Sequence, residues 1–289
     1  MKAIIFGVNG QDGFYLKELL DEKGIECIGI ARSPGNWLQG DVAEYSFVED
    51  LISSNKPDLI FHLAAKSTTR HDALFENHAC ISTGTLNILE AVRKHSRKSK
   101  VFITGSGVQF KNSGYPISEN DEFEASSPYS IARIQSVYAV RYFRKLGIQA
   151  YVGYLFHHES PLRKDNHVSK IIVNAVNDIK KGNQVRINLG DISVRKEWAF
   201  AKDIVKGIFT LIEQDEFFEA TIGTGIPYSI EDWLDICFGE IGKKWSDYVT
   251  LKQDFKAEYP ILYSNPGTIN KCGWYAETDF KNLSKIMIG

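Results

Sequence analysis

A doubly wound α/β fold, with a parallel sheet between two layers of helix, is predicted for this 289-residue chain by three observations. Short β-branched runs alternate with stretches of helical periodicity from the N-terminus onward. The first run ends in a glycine-rich turn that opens directly into the first helical stretch. No repeat or low-complexity linker interrupts this βαβα order. With 43% apolar residues, the chain has ample material for a sizeable core.

Composition narrows the partners. A formal net charge of -2 and a pI near 6.4 leave no electrostatic footprint for nucleic acid or an anionic membrane. Cys27, Cys80, Cys237 and Cys272 lie far apart, without CxxC or Cys/His ligand spacing. Neither a disulfide framework nor a metal site is therefore expected, and a reducing cytoplasm fits best. The apolar run at the N-terminus is too short for a signal segment or a membrane span, so a cytoplasmic location is expected.

The elements follow in order. Ala3-Ile4-Ile5-Phe6 reads as a strand, and Tyr15, Leu16, Leu19 and Leu20 recur at helical spacing. Between them, Gly7, Gly10 and Gly13 allow a tight turn, backbone approach to a pyrophosphate, and close packing of helix on strand. That pattern predicts a dinucleotide loop of Rossmann type, with Gln11 and Asp12 inside it. Glu26 to Ile30 reads as the second strand and ends at Ala31-Arg32-Ser33. With no carboxylate at this strand end and a guanidinium present, a 2′-phosphate is better served than a 2′-hydroxyl, so NADP is expected, with NAD as the alternative. Asp41 suits either the adenine edge or a helix cap.

Asp58 to Leu63 is a buried-looking strand that runs into Ala64-Ala65-Lys66-Ser67, where small residues admit a cofactor. A helix is predicted from Thr83 to about Lys94. Lys100 to Thr104 forms the next strand, placing Thr104 and Ser106 at a carboxyl end, where such sheets bind ligands. Pro128 then starts a helix capped by Ser126 or Ser127. Tyr129 and Arg133 fall at i and i+4, on one helical face. A tyrosine of pKa about 10 needs a neighbouring positive charge to serve as a base near neutrality.

Gln149 to Phe156 reads as a strand leading into His157-His158-Glu159-Ser160-Pro161. Adjacent residues on an extended segment point opposite ways, which argues against a shared metal. A helix is predicted from Ile171 to Lys181. Arg186, Arg195, Lys196 and Trp198 place cations beside an aromatic ring, suited to a nucleotide diphosphate or to a solvated surface. The boundary is placed near residue 155, giving a dinucleotide-binding domain over 1–155 and a smaller substrate-binding α/β lobe over 156–289 whose segments cross back.

Together these residues resemble an extended short-chain dehydrogenase/reductase of nucleotide-sugar metabolism. Gly10-Gln11-Asp12-Gly13, Leu155 through Pro161, Leu189-Gly190-Asp191, and Trp198 followed by Ala201-Lys202-Asp203 are similar to GDP-mannose 4,6-dehydratases. The short chain, and Lys56-Pro57-Asp58 through Ala64-Ala65-Lys66-Ser67, are equally similar to GDP-4-keto-6-deoxyhexose reductases.

The resemblance implies hydride exchange at sugar C4 with NADP held by Gly7, Gly10, Gln11, Asp12, Gly13, Arg32, Asp41, Leu63, Ala64, Ala65, Tyr129 and Arg133. In the family a Tyr exchanges the C4 hydroxyl proton, a Lys four residues on binds the nicotinamide ribose, and a Ser or Thr bonds the C4 oxygen. Dehydratases add a Glu two residues after that hydroxyl. Here the Lys is Arg133, and aligning 103–110 on the family strand end puts Gly105 at the Ser/Thr position and Gly107 at the Glu position. Thr104 or Ser106 then supplies the hydroxyl. The resemblance also implies a GDP-linked sugar substrate, met by His157, His158, Glu159, Lys170, Arg186, Lys196, Lys256 and Glu258, and a homodimer or higher oligomer.

The missing Glu favours 4-keto reduction or C4 oxidation. The alternatives are a true 4,6-dehydratase with a displaced acid/base, such as Glu159 or Glu119, and a catalytically impaired protein that binds NADP and a nucleotide sugar.

Overall fold

The computed structural model describes residues 1–252, 255 and 257–289. Its first half lays down β1 (Lys2–Phe6), α1 (Gln11–Glu22), β2 (Glu26–Ala31), β3 (Leu38–Gln39), α2 (Tyr45–Asn55) and β4 (Leu59–His62). A short α3 (Leu74–Asn77) passes through one π-helical stretch, His78–Thr83, into α4 (Gly84–His95). The helix predicted from Thr83 thus has its start several residues earlier. β5 (Lys100–Ser106), α5 (Pro128–Lys145) and β6 (Ala150–Leu155) follow.

The second half contains β7 (His158–Glu159), α6 (Val168–Lys180), β8 (Ile187–Leu189), β9 (Arg195–Glu197), β10 (Ala199–Phe200), α7 (Ala201–Ile212) and β11 (Glu219–Ile222). It ends with β12 (Pro227–Ser229), α8 (Ile230–Gly239), β13 (Val249–Leu251), β14 (Ile261–Leu262), α9 (Gly267–Lys271) and α10 (Phe280–Ile288).

Seven strands form one parallel sheet in the order β11-β6-β5-β4-β1-β2-β3. Such a sheet is covered on both faces, and the apolar runs read from sequence are buried on both sides. Ile4, Phe6, Ile60, Ile103 and Val152 point to one core, while Ala3, Ile5, Phe61, Phe102 and Tyr151 point to the other. The alternation along each strand is the two-residue period of the pleat. β11 and α7 come from beyond residue 155 and complete this sheet and its second core layer.

A third core, with Ile172, Trp198, Trp233, Leu234 and Leu283, holds the smaller elements together. Its centre is the stacked pair Trp198 and Trp233, with ring centroids 4.7 Å apart. The chain leaves β1 towards one edge through β2 and towards the other through β4. The segments that follow β1, β4 and β5 lie at this switch, beyond the carboxyl ends of the strands.

Candidate active site

The glycine loop is fixed by close backbone contact. Gly7 has φ +92°, in the left-handed region that favours glycine, and a Cβ there would lie 2.7 Å from the Ala64 backbone nitrogen. A Cβ on Gly13 would strike the Gly7 carbonyl and the Val8 backbone. The loop therefore abuts the end of β4 at Leu63 and Ala64, and only a bare backbone fits. Gly10 is the N-cap of α1 and offers no side-chain cap. The first N–H groups of this helix are left for an anion, which fits the pyrophosphate of a dinucleotide.

The side chains of Gln11 and Asp12 have another role. Gln11 Nε2 donates to the His158 carbonyl at 3.3 Å, Ser160 Oγ donates to Gln11 Oε1 at 3.0 Å, and His158 Nε2 lies 2.9 Å from Asp12 Oδ1. These contacts latch the loop to the segment after β6. Burial alone would lower the His158 pKa, but Asp12 and the Phe156 carbonyl raise it above the usual histidine value. Burial alone would raise the Asp12 carboxyl, yet His158, Arg163 and Arg133 hold it below the usual carboxylate range.

Beyond β2, Arg32 Nη2 donates to Glu76 Oε1 at 2.8 Å, and Lys66 Nζ lies 3.5 Å from Glu76 Oε2. The expectation of a cation with no carboxylate beside it is thus corrected, because the fold delivers Glu76 from α3. Asp41 is not a helix cap. Its Oδ1 accepts from the Ala43 amide at 3.0 Å in a local turn, and Glu44 occupies the N-cap position of α2.

Tyr129 and Arg133 sit in the first two turns of α5, whose N-cap is Ser127 in a capping box with Ser130. The Arg133 guanidinium lies 5.1 Å from the centre of the Tyr129 ring. Arg133 is 2% exposed and donates through Nη1 to the Thr104 carbonyl, while its Nε has no protein partner among the described residues. Tyr129 is half-buried.

At the end of β5 the two candidate hydroxyls differ. Thr104 is buried and donates to the His62 carbonyl at 2.8 Å, so its hydroxyl is committed to the sheet. Ser106 is half-buried at the last residue of the strand, where Gln109 Oε1 accepts from its amide at 2.8 Å. A Cβ at Gly105 would lie 2.5 Å from Tyr154 Cδ1, and one at Gly107 would lie 2.7 Å from Phe156 Cε1. Aromatic side chains of the core therefore occupy the space a side chain at either glycine would enter.

In the segment after β6 the two adjacent histidines face different partners. His157 Nε2 lies 2.7 Å from Glu159 Oε1, and Arg163 Nε lies 3.4 Å from Glu159 Oε2. The His157 ring packs edge-on against Trp198 at 5.2 Å, and Lys196 Nζ lies 4.8 Å from the centre of the same indole. Burial, with Lys196 close by, pushes the His157 imidazole down to about 3, so the ring is uncharged at neutral pH. Burial alone would raise Glu159, but His157, Arg163 and Lys196 hold it down at about 2. Burial pushes the Lys196 amine down to about 8.

The remaining candidates lie outside this cluster. Lys170 donates to the Pro161 carbonyl at 2.9 Å. Arg186 is exposed and donates to Thr250 Oγ1 at 2.9 Å. Glu258 is exposed and accepts from Thr69 Oγ1 at 2.6 Å. Lys256 falls outside the described residues. Glu119, considered as a displaced base, accepts from Thr268 Oγ1.

Sequence reasoning did not find Arg163 or Glu76. Arg163 carried a local signal, a basic residue four positions after Glu159. Glu76 carried none, because it stands 44 residues from Arg32.

The GDP-mannose 4,6 dehydratase family model matches residues 4–287. The chain is 31% identical to GDP-mannose 4,6 dehydratase 2 of Arabidopsis thaliana over 318 residues, covering 99% of this chain and 85% of that protein. Among solved structures, RMD from Pseudomonas aeruginosa complexed with NADPH superposes with a TM-score of 0.86 at 19% identity, over 99% of this chain and 96% of that one. UDP-glucose 4-epimerase of Thermus thermophilus in complex with NAD gives 0.84 at 17% identity, over 100% and 98% of the two chains. The glycine cradle, the tyrosine helix and the buried charge cluster therefore sit in a chain that belongs to the GDP-mannose 4,6-dehydratase family.

Proposed function

We propose that this protein acts by hydride transfer at C4 of a GDP-linked sugar, that it uses NADP, and that it reduces a 4-keto group or oxidises the C4 hydroxyl rather than removing water. The observation that carries this reading is the pairing of Tyr129 with a buried guanidinium beside a strand end that has a hydroxyl but no carboxylate. When bound, the nicotinamide supplies or accepts the hydride. Tyr129 Oη gives or takes the proton at the C4 oxygen, and Ser106 Oγ donates to that oxygen. Arg133 places its guanidinium over the Tyr129 ring and is anchored by the Thr104 carbonyl, which fixes the cation beside the reacting hydroxyl. As a guanidinium it remains charged throughout and exchanges no proton itself.

Dehydration needs a base for the sugar C5 proton. Residues 105–108 are Gly, Ser, Gly and Val and provide none. Glu159 is fully buried and held ionised by its cationic neighbours, which makes it a weak base. The partly buried Arg163 and the buried Lys196 are suited to the diphosphate of the nucleotide.

The test is a pair of incubations followed by mass analysis. NADPH with GDP-4-keto-6-deoxymannose is expected to give a product two mass units heavier than the sugar nucleotide supplied. GDP-mannose with trace NADP is expected to show no loss of water. Efficient water loss from GDP-mannose overturns the preference for C4 chemistry alone, whereas no turnover of any nucleotide sugar favours a binding protein.

A further inference from the structure

We propose that Glu76 is an internal competitor for the cofactor's 2′-phosphate and sets the balance between NADP and NAD; this rests on the nicotinamide reading above. Arg32 follows the last residue of β2, and Lys66 follows β4. These two strands flank β1 in the sheet, so the two cations bracket the glycine loop that follows β1. Asn9, inside that loop, donates to Ser33 Oγ at 3.0 Å, and Gln39 donates to the Arg32 carbonyl at 2.9 Å. The Arg32 turn is thereby fastened beside the loop, where the adenosine ribose of a dinucleotide lies in this type of fold.

Glu76 places one carboxylate oxygen on each cation, at 2.8 Å and 3.5 Å. A phosphate monoester has the same need for two cations and has more charge with which to displace the carboxylate. Its arrival requires Glu76 to let go, and the released carboxylate remains nearby as a like charge. A dinucleotide with a bare 2′-hydroxyl requires no such release. All three side chains are partly exposed, at 51%, 52% and 36% for Arg32, Lys66 and Glu76, so the exchange needs no opening of the core. The contact also adds little to folding, since exposed ion pairs are weak, and a variant at Glu76 is expected to fold.

Isothermal titration of wild-type protein, Glu76→Gln and Arg32→Ala with NADP+ and with NAD+ tests the proposal without a turnover assay. Glu76→Gln is expected to strengthen NADP+ binding by about tenfold, the scale of one partly screened charge interaction, and to leave NAD+ within about threefold. Arg32→Ala is expected to weaken NADP+ selectively. Unchanged NADP+ affinity in Glu76→Gln overturns the competitor role. Weakened NAD+ binding in the same variant also overturns it, by making Glu76 a ribose ligand. Failure of wild type and both variants to bind either dinucleotide overturns the cofactor reading itself.

Discussion

The proposed cofactor end and the proposed substrate end of the site are built by different means. The cofactor end is a backbone device in which Gly7 and Gly13 leave no room for a Cβ and the start of α1 presents bare N–H groups. The proposed substrate end is a side-chain device in which His157 and Arg163 flank the buried Glu159, and His157 and Lys196 pack against the Trp198 indole. The first depends on local backbone conformation and leaves no room for a Cβ at Gly7 or Gly13. The second depends on mutual charge compensation, and it responds to pH.

Tyr129 is the proposed proton carrier between cofactor and sugar, and removing its hydroxyl is the sharpest way to separate binding from chemistry. Tyr129→Phe is expected to lower kcat by about 10²- to 10⁴-fold, the usual worth of a positioned acid/base, while NADP affinity measured by titration stays within about threefold. Retained turnover in the Phe variant removes Tyr129 from the proton transfer.

The cofactor end is tested next. Gly7→Ala places a Cβ 2.7 Å from the Ala64 nitrogen at a positive φ, and is expected to weaken dinucleotide binding about a hundredfold, equivalent to about 3 kcal/mol of backbone strain and displacement. Normal affinity in a folded Ala variant breaks the claim that this end is read through its backbone.

The substrate end is tested with acid. The folded-state pKa values of His157 and Glu159 are depressed, to about 3 from 6.5 and to about 2 from 4.5. The unfolded chain thus binds protons that the folded chain refuses, and stability rises with pH across these windows. It is full above pH 6.5 and falls as the medium is acidified towards 3. His158 acts in the opposite sense. Its raised pKa gives stability that is present below 6.5 and is lost as pH rises through the folded value. A loss on the order of a few kcal/mol between pH 6.5 and 4 is expected in thermal unfolding. His157→Asn is expected to flatten that limb, and a variant with an unchanged acid profile places the titration elsewhere.

The smallest effect is expected at Arg186. Its exposed contact with Thr250 predicts that Arg186→Ala changes KM by less than about threefold, as for other exposed polar pairs. A tenfold rise in KM extends the substrate site beyond the buried cluster.

The same division explains what was legible in the sequence. The strand, glycine loop and first helix were readable because their cause is local: residues 3–20 contain the turn, the cradle and the packing face together. Tyr129 and Arg133 were readable because helical spacing alone puts them on one face. Glu76 was not, since only the approach of α3 to the end of β2 brings it to Arg32. The choice between Thr104 and Ser106 also needed the fold, because the His62 carbonyl that occupies the Thr104 hydroxyl comes from a neighbouring strand. His157 and His158 were expected to part company. Glu159 stands two residues from His157, whereas Asp12 meets His158 only because the segment after β6 lies against the start of α1.

The central claim, C4 chemistry without dehydration, is tested most directly by following the transferred hydrogen. With NADPH deuterated at the nicotinamide C4 and GDP-4-keto-6-deoxymannose, deuterium is expected at sugar C4 of the product, read by NMR. The contradicting result comes from GDP-mannose deuterated at C4 with unlabelled NADP: appearance of that deuterium at C6 of a 4-keto product, with loss of water, makes the protein a dehydratase.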